Sequence, residues 1–218
     1  MRKGSIIMVL CFILRASGVM ADVKLPDIFG DNMVLQQKAD VSIWVHATTG
    51  ATVFVIPSWD KKKFTTLADT NGKWKLKVET ISAGGPYSML ISDGKAIQIN
   101  NILLGEVWLC SGQSNMTMTI KGWPSIPVEG SLDETILANN PKIRFFEVAR
   151  TAKLAPQDEL RGSWKEVSSA TIGDLSATAW FFGKMIQSKL GLPVGLITSS
   201  WGGSTIEAWM SKEALQPF

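Results

Sequence analysis

Two segments of this sequence carry the residue types that nucleophilic chemistry needs. In Gly112-Gln113-Ser114-Asn115-Met116 a hydroxyl follows a glycine at the end of an apolar run, where a strand would hand over to a helix. In Ser199-Ser200-Trp201-Gly202-Gly203-Ser204-Thr205-Ile206-Glu207-Ala208-Trp209 paired glycines would let backbone N–H groups approach a ligand closely. A serine that attacks a carbonyl needs amide donors facing the oxyanion that forms, and two such turns at one sheet edge would supply both partners. A helix beginning at Ser114 would add the positive end of its dipole. Each segment also has a plainer reading. Ser114 fits a helix N-cap, Gly202-Gly203 an ordinary tight turn, and Glu207 a carboxylate favoured at a helix start. The first motif is not the Gly-x-Ser-x-Gly elbow, because Met116 stands where the second glycine would be.

The elements that must position these residues fall into two kinds. From Val23 to about Ile102 the pattern is β. Runs at 41–45, 52–56, 74–78 and 87–91 are rich in β-branched and aromatic residues, and Asn71-Gly72, Gly84-Gly85-Pro86 and Asp93-Gly94 punctuate them as turn signals. A small antiparallel β-sandwich over 22–102 is expected. The character changes at Leu103. An apolar strand over 103–110 leads into the Ser114 turn, and further strands are expected at 143–148 and 194–198. Between the last two, Ser176 to Leu190 places Ala179, Phe182, Ile186 and Leu190 on one helical face, with Gly191 and Pro193 to end it. Strand, helix, strand at these lengths implies an α/β fold over 103–218, a parallel sheet with helices on its faces. Ligands of such sheets sit at the carboxyl ends of the strands, where Ser114 falls.

Composition narrows the function classes. With 45% hydrophobic and 19% charged residues the 218-residue chain can bury a core. A formal charge of +3 with scattered Lys and Arg leaves no electrostatic footprint for nucleic acid. Residues 1–21 read as a signal peptide: Arg2 and Lys3, the apolar run Ile6–Leu14, then Val19-Met20-Ala21 as a cleavage site. The run is too short for a membrane span, which takes about 20 residues, so no membrane association is expected after cleavage and the protein is expected to be exported, periplasmic or extracellular. Cleavage would leave Cys110 as the one cysteine and preclude an internal disulfide.

The motif at 104–116, Leu-Gly-Glu-Val-Trp-Leu-Cys-Ser-Gly-Gln-Ser-Asn-Met, together with the segment at 199–211, resembles the sialate O-acetylesterase family, a branch of the SGNH hydrolases related to acetyl xylan esterases. Residues 25–37 resemble the opening of that family's N-terminal β domain. The resemblance implies a flavodoxin-like SGNH sheet and a serine carboxylesterase that removes O-acetyl groups from sialic acid or another acetylated glycan, hemicellulose being the alternative. It implies Ser114 as nucleophile. The oxyanion would face the backbone N–H of Ser114 and one from Gly202-Gly203, Gly203 foremost. Gln113 and Asn115 would hold the turn, and Glu207 would line or brace the pocket. No metal or other cofactor is implied. Trp201 and Trp123 are the aromatic residues placed to stack on a sugar. A non-catalytic glycan-binding protein is the competing class.

The family's general base is a histidine oriented by an aspartate, from an Asp-x-x-His motif late in the chain. No such motif occurs here, nor the family's Gln-Gly-Glu turn; the one histidine, His46, falls in the β half. The chain is therefore expected to be the N-terminal part of a longer esterase. About three sheet strands where an SGNH sheet has five would leave a strand edge and some apolar helix face uncovered, and the 218-residue chain alone is expected to be a poor esterase prone to aggregate.

Overall fold

The computed structural model describes residues 23–217; the expected signal peptide lies outside them. Among the described residues seven strands run in succession before the first helix, and three more are interleaved with helices: β1 (Val34–Gln36), β2 (Asp40–His46), β3 (Thr52–Pro57), β4 (Phe64–Leu67), β5 (Lys73–Glu79), β6 (Gly84–Ser92), β7 (Ala96–Gly112), α1 (Ser114–Thr117), α2 (Ser131–Ile136), β8 (Asn139–Glu147), β9 (Trp164–Ser168), α3 (Ala177–Leu190), β10 (Val194–Ser200) and α4 (Lys212–Leu215). Two antiparallel strands, β2 and β5, form one small sheet. The rest join a single sheet in the order β4-β3-β6-β7-β10-β8-β9, with β1 beside β7.

The β half follows its sequence pattern closely. Along β5 residues alternate strictly, with Lys73, Lys75 and Lys77 exposed and Trp74, Leu76 and Val78 buried, the signature of a strand with one wet face. Asp93-Gly94 closes the β6–β7 hairpin between the paired residues Ser92 and Ala96. Asn71-Gly72 is also a turn: Gly72 takes φ +75°, and a Cβ there would meet the Ala47 carbonyl oxygen at 2.5 Å. The third expected turn differs. Gly84-Gly85-Pro86 opens β6 and pairs irregularly with β7, because Gly85 lets the strand pass close over Ile102 and Leu103.

The strand expected over 103–110 is the second half of β7. At Gly105 the chain changes partners without a break. Up to Leu104 it pairs with β6, and from Glu106 to Gly112 it pairs in parallel with β10. β10 in turn pairs in parallel with β8, so the three strands expected for the α/β half share one orientation, with antiparallel β9 at the far edge. α3 is capped as its sequence requires. Ser176 Oγ accepts from the Ala179 N–H at 3.3 Å, and Gly191 closes the C-terminus at φ +70°. Its buried face is Ala179, Trp180 and Gly183, flanked by Phe182 and Ile186, whereas Leu190 is half exposed. Gly183 shifts the stripe: it lies over Leu196, so the helix meets the sheet most closely there.

Helices were expected on both faces of this sheet, and only one face carries α3. The other packs against the N-terminal half. Phe145 and Phe146 are both fully buried and point to opposite faces; Phe145 joins α3, while Phe146 joins Met33, Val34 and Trp164 in the larger core. Burying each ring contributes about 1.5–3 kcal/mol. The seam is tied further. Arg144, 3% exposed at its side chain, donates to the carbonyls of Asn32 and Asn101, to Asn101 Oδ1 and to Glu166. Trp164 Nε1 donates to the Ile28 carbonyl at 2.8 Å. Beyond Gly105, the last residue paired with β1, the second edge of β7 has no strand partner among the described residues, and Leu109 there is 69% exposed. This is the uncovered edge that the short strand count leads one to expect.

Candidate active site

Ser114 stands two residues past the end of β7, as the first residue of α1, and β10 ends alongside it. Ser111 pairs with Ser199 and Gly112 with Ser200, and the Trp201 N–H donates to the Gly112 carbonyl at 3.0 Å. Both serine-bearing turns therefore leave the sheet at the same carboxyl edge. Their closeness can be measured: a Cβ built on Gly202 would lie 3.6 Å from Ser114 Oγ. Gly203 follows at φ +82°, a left-handed conformation that places its amide away from the helical path and favours glycine.

Ser114 is half-buried, and its hydroxyl donates to Gln113 Oε1 at 2.9 Å. Gln113 also anchors the turn through its carbonyl, which accepts from both the N–H and the hydroxyl of Thr117 at 2.9 Å. Asn115 contributes differently from expectation. It is exposed, and the contact it makes is through its backbone carbonyl, which accepts from Thr178 Oγ1 on α3 at 3.1 Å. The helix after Ser114 is a single turn of four residues, so little macrodipole acts on the hydroxyl. What the turn offers is local: N–H groups of a first helical turn have no partner inside the helix.

A cavity of about 390 Å³ opens beside these turns, walled by residues 148–152 and 199–204 with Ala208 and Trp209. Ser114 lies at its margin through Gly202. Trp201 and Trp209 form its aromatic wall, the latter with Nε1 held by Ser204 Oγ at 2.8 Å. Arg150 is its one charged lining residue. Trp123 is elsewhere. It sits in the turn that bridges to Ile126 and does not line the cavity, so of the two expected stacking residues only Trp201 is placed for it. Glu207 does not line the cavity either. It bonds to Thr205 and to its own backbone N–H, which holds its carboxyl below the usual carboxylate range, and so braces the short 3-10 turn (Ile206–Trp209) that carries Ala208 and Trp209. Cys110, behind the serine turn, is buried, and burial pushes its thiol up, as befits an inert apolar residue.

Sequence reasoning ranked Trp209 below Trp201 and Trp123, and it missed the segment 148–152. The signal for the latter was available: it leaves β8, a parallel strand, at the carboxyl end where such sheets bind ligands. His46 lies on β2, lining a separate cavity with Lys73 and Asp158. Among the described residues no group of histidine, cysteine and carboxylate side chains is arranged to hold a metal ion, and no helix is long and apolar enough to cross a membrane.

Fold and corner together define an α/β protein with a serine turn and a double-glycine turn at the carboxyl edge of a parallel sheet. The chain belongs to the carbohydrate esterase family described as sialic acid-specific acetylesterase, whose model matches residues 104–217. It is similar to the sialate O-acetylesterase of Rattus norvegicus, 32% identical over 96% of this chain and 42% of the relative, and to that of Homo sapiens, 30% identical over 85% and 38%. Among solved structures it resembles a carbohydrate acetylesterase from Xanthomonas citri, with a TM-score of 0.81 and 33% identity over 88% of this chain and 43% of the other. The chain thus spans about two fifths of the length of these relatives.

Proposed function

We propose that this chain carries the nucleophile-bearing part of a serine carboxylesterase that removes O-acetyl groups from carbohydrate, with acetylated sialic acid the leading substrate and acetylated hemicellulose the alternative. Ser114 Oγ attacks the acetyl carbonyl, and the oxyanion is met by the backbone N–H groups of Ser114 and of the Gly202-Gly203 bend. The sugar oxygen leaves, and water then releases acetate from the acyl-serine. Trp201 and Trp209 offer flat apolar faces to the sugar ring.

One observation supports this reading above the rest: the 3.6 Å approach of the Gly202 Cβ position to Ser114 Oγ, at the edge of a cavity of monosaccharide dimensions. An ordinary N-cap serine has no need of a glycine bend beside its hydroxyl. The serine proton requires a base, and Gln113, its present partner, is a neutral amide that cannot take it. In this reading the base comes from the Asp-x-x-His segment that the family resemblance implies, within a longer protein of the relatives' length. Export and an N-terminal β-sandwich domain belong to the same proposal.

The test is acetate release from acetylated sialic acid and acetylated xylan by the protein expressed from its full reading frame. Ser114→Ala should lower kcat/KM by at least about 10³-fold with an unchanged Tm. Retained activity contradicts the assignment, and the ratio of the two substrates selects between the glycan classes.

A further inference from the structure

We propose that the outer face of β2 and β5 is a second carbohydrate site, taking a neutral pyranose, separate from Ser114 and independent of ester chemistry. Strand register builds it. Trp44 stands opposite Lys75 and His46 opposite Lys73, so these four side chains share the face turned away from Ile43 and Leu76. The segment at 157–158 closes over them, leaving a cavity of about 500 Å³ whose walls include Trp44, His46, Lys75, Gln157 and Asp158. That is a size suited to a small ligand rather than to a protein surface.

Trp44 supplies the platform. Its ring is fixed edge-on to Phe29 at 4.7 Å between centroids, and its Nε1 donates to the Asp158 carbonyl at 3.0 Å. A half-buried indole with its orientation set costs little further ordering when a sugar stacks on it. Polar groups surround it. The His46 imidazole makes no hydrogen bond to any described side chain, and Gln157 donates through Nε2 to Ala155 and Pro156, leaving Oε1 as an acceptor. Sugar hydroxyls donate and accept together, which matches this mixture.

Charge decides the ligand class. Lys73 and Lys75 are balanced by Asp69 and Asp158; Lys73 is paired with Asp158, and Asp69 accepts the backbone N–H groups of Asn71 and Lys73. A balanced lining offers nothing that favours an anionic sugar. The same loop that closes this cavity begins in the wall of the Ser114 cavity at residues 148–152. A glycan held here would lie at the other end of that loop.

The probe is xylohexaose, neutral and unacetylated, titrated onto the protein expressed from its full reading frame, with sialyllactose as the anionic comparison. The tryptophan indole N–H signals are followed by NMR, and Trp44→Phe identifies the Trp44 signal. Xylohexaose should shift that signal and bind more tightly than sialyllactose. Trp44→Ala should weaken binding at least about tenfold, and His46→Ala and Gln157→Ala about threefold or more each. Ser114→Ala should leave this affinity unchanged, which separates failure of this site from failure of the esterase reading. An unmoved Trp44 signal at millimolar xylohexaose, or stronger binding of sialyllactose at this face, overturns the proposal. Should Trp44→Ala fail to fold, unchanged affinity in both His46→Ala and Gln157→Ala overturns it equally.

Discussion

The seam between the two halves and the corner around Ser114 are built on opposite terms. At the seam nearly every group is committed: Arg144 meets five acceptors, Phe146 and Trp164 are buried, and Gly105 lies so near the Pro193 carbonyl that a Cβ would come within 2.1 Å of its oxygen. At the corner Ser114 is half-buried, a Cβ built on Gly203 would meet nothing within 4 Å, and Trp201 and Trp209 are 43% and 38% exposed. A packed seam supplies the rigidity that lets a loosely bonded corner keep hydroxyl and amide groups available to a ligand. Substitutions in the two places should therefore separate, with stability changing at the seam and chemistry at the corner.

The largest effect is expected from Arg144→Met. It leaves the Asn32 and Asn101 carbonyls without their buried donor and releases two residues held at φ 68° and 55°, so unfolding free energy should fall by about 3 kcal/mol. Urea denaturation measures this, and a loss under about 1 kcal/mol would mean the seam is not the anchor.

Gly202→Ala tests the corner. The added methyl makes an ordinary contact with Ser114 Oγ at 3.6 Å, so Tm should move by no more than about 2 °C. In the proposed reading the methyl stands where an acetyl group would approach, and kcat/KM of the full-length protein for an acetyl ester should fall about 10- to 100-fold. Unchanged kinetics would place the substrate elsewhere.

The smallest effect lies away from both regions. Burial disfavours ionised Glu134, but hydrogen bonds from Lys184 and from Trp180 Nε1 outweigh it and hold this carboxyl below the usual carboxylate range. A depressed folded-state pKa stabilises above the unfolded value of about 4.3 and loses that stability as pH falls through the folded value. Glu134→Gln should thus cost about 1 kcal/mol at pH 7 and almost nothing at the acid end. Equal loss at both pH values would show that the charge is irrelevant.

Much of this was legible in the sequence because the pattern was local. Trp74, Leu76 and Val78 alternate with lysines, and Ser176 and Gly191 bracket α3 by capping chemistry alone. β9 was not legible: in Trp164-Lys165-Glu166-Val167-Ser168 only Trp164 and Val167 are buried, so an edge strand shows no alternation. Nor was α2, a six-residue helix with no buried residue to leave a stripe. Adjacent Phe145 and Phe146 announce a strand covered on both faces, yet not that one cover is a helix and the other the N-terminal β layer. At the site, glycine and serine types marked the two turns. The wall at 148–152 bears no comparable motif; its one signal is its place after a parallel strand, and its meeting with the 199–204 turn depends on sheet order, which is a non-local property.

The most direct measurement is a crystal structure of the full-length protein after reaction with a fluorophosphonate, whose tetrahedral serine adduct mimics the intermediate of acyl transfer. The account predicts a single adduct on Ser114 Oγ, with its phosphonyl oxygen within hydrogen-bond distance of the Ser114 backbone N–H and an N–H of the Gly202-Gly203 bend. An adduct on another residue, or a phosphonyl oxygen turned away from that bend, would contradict it.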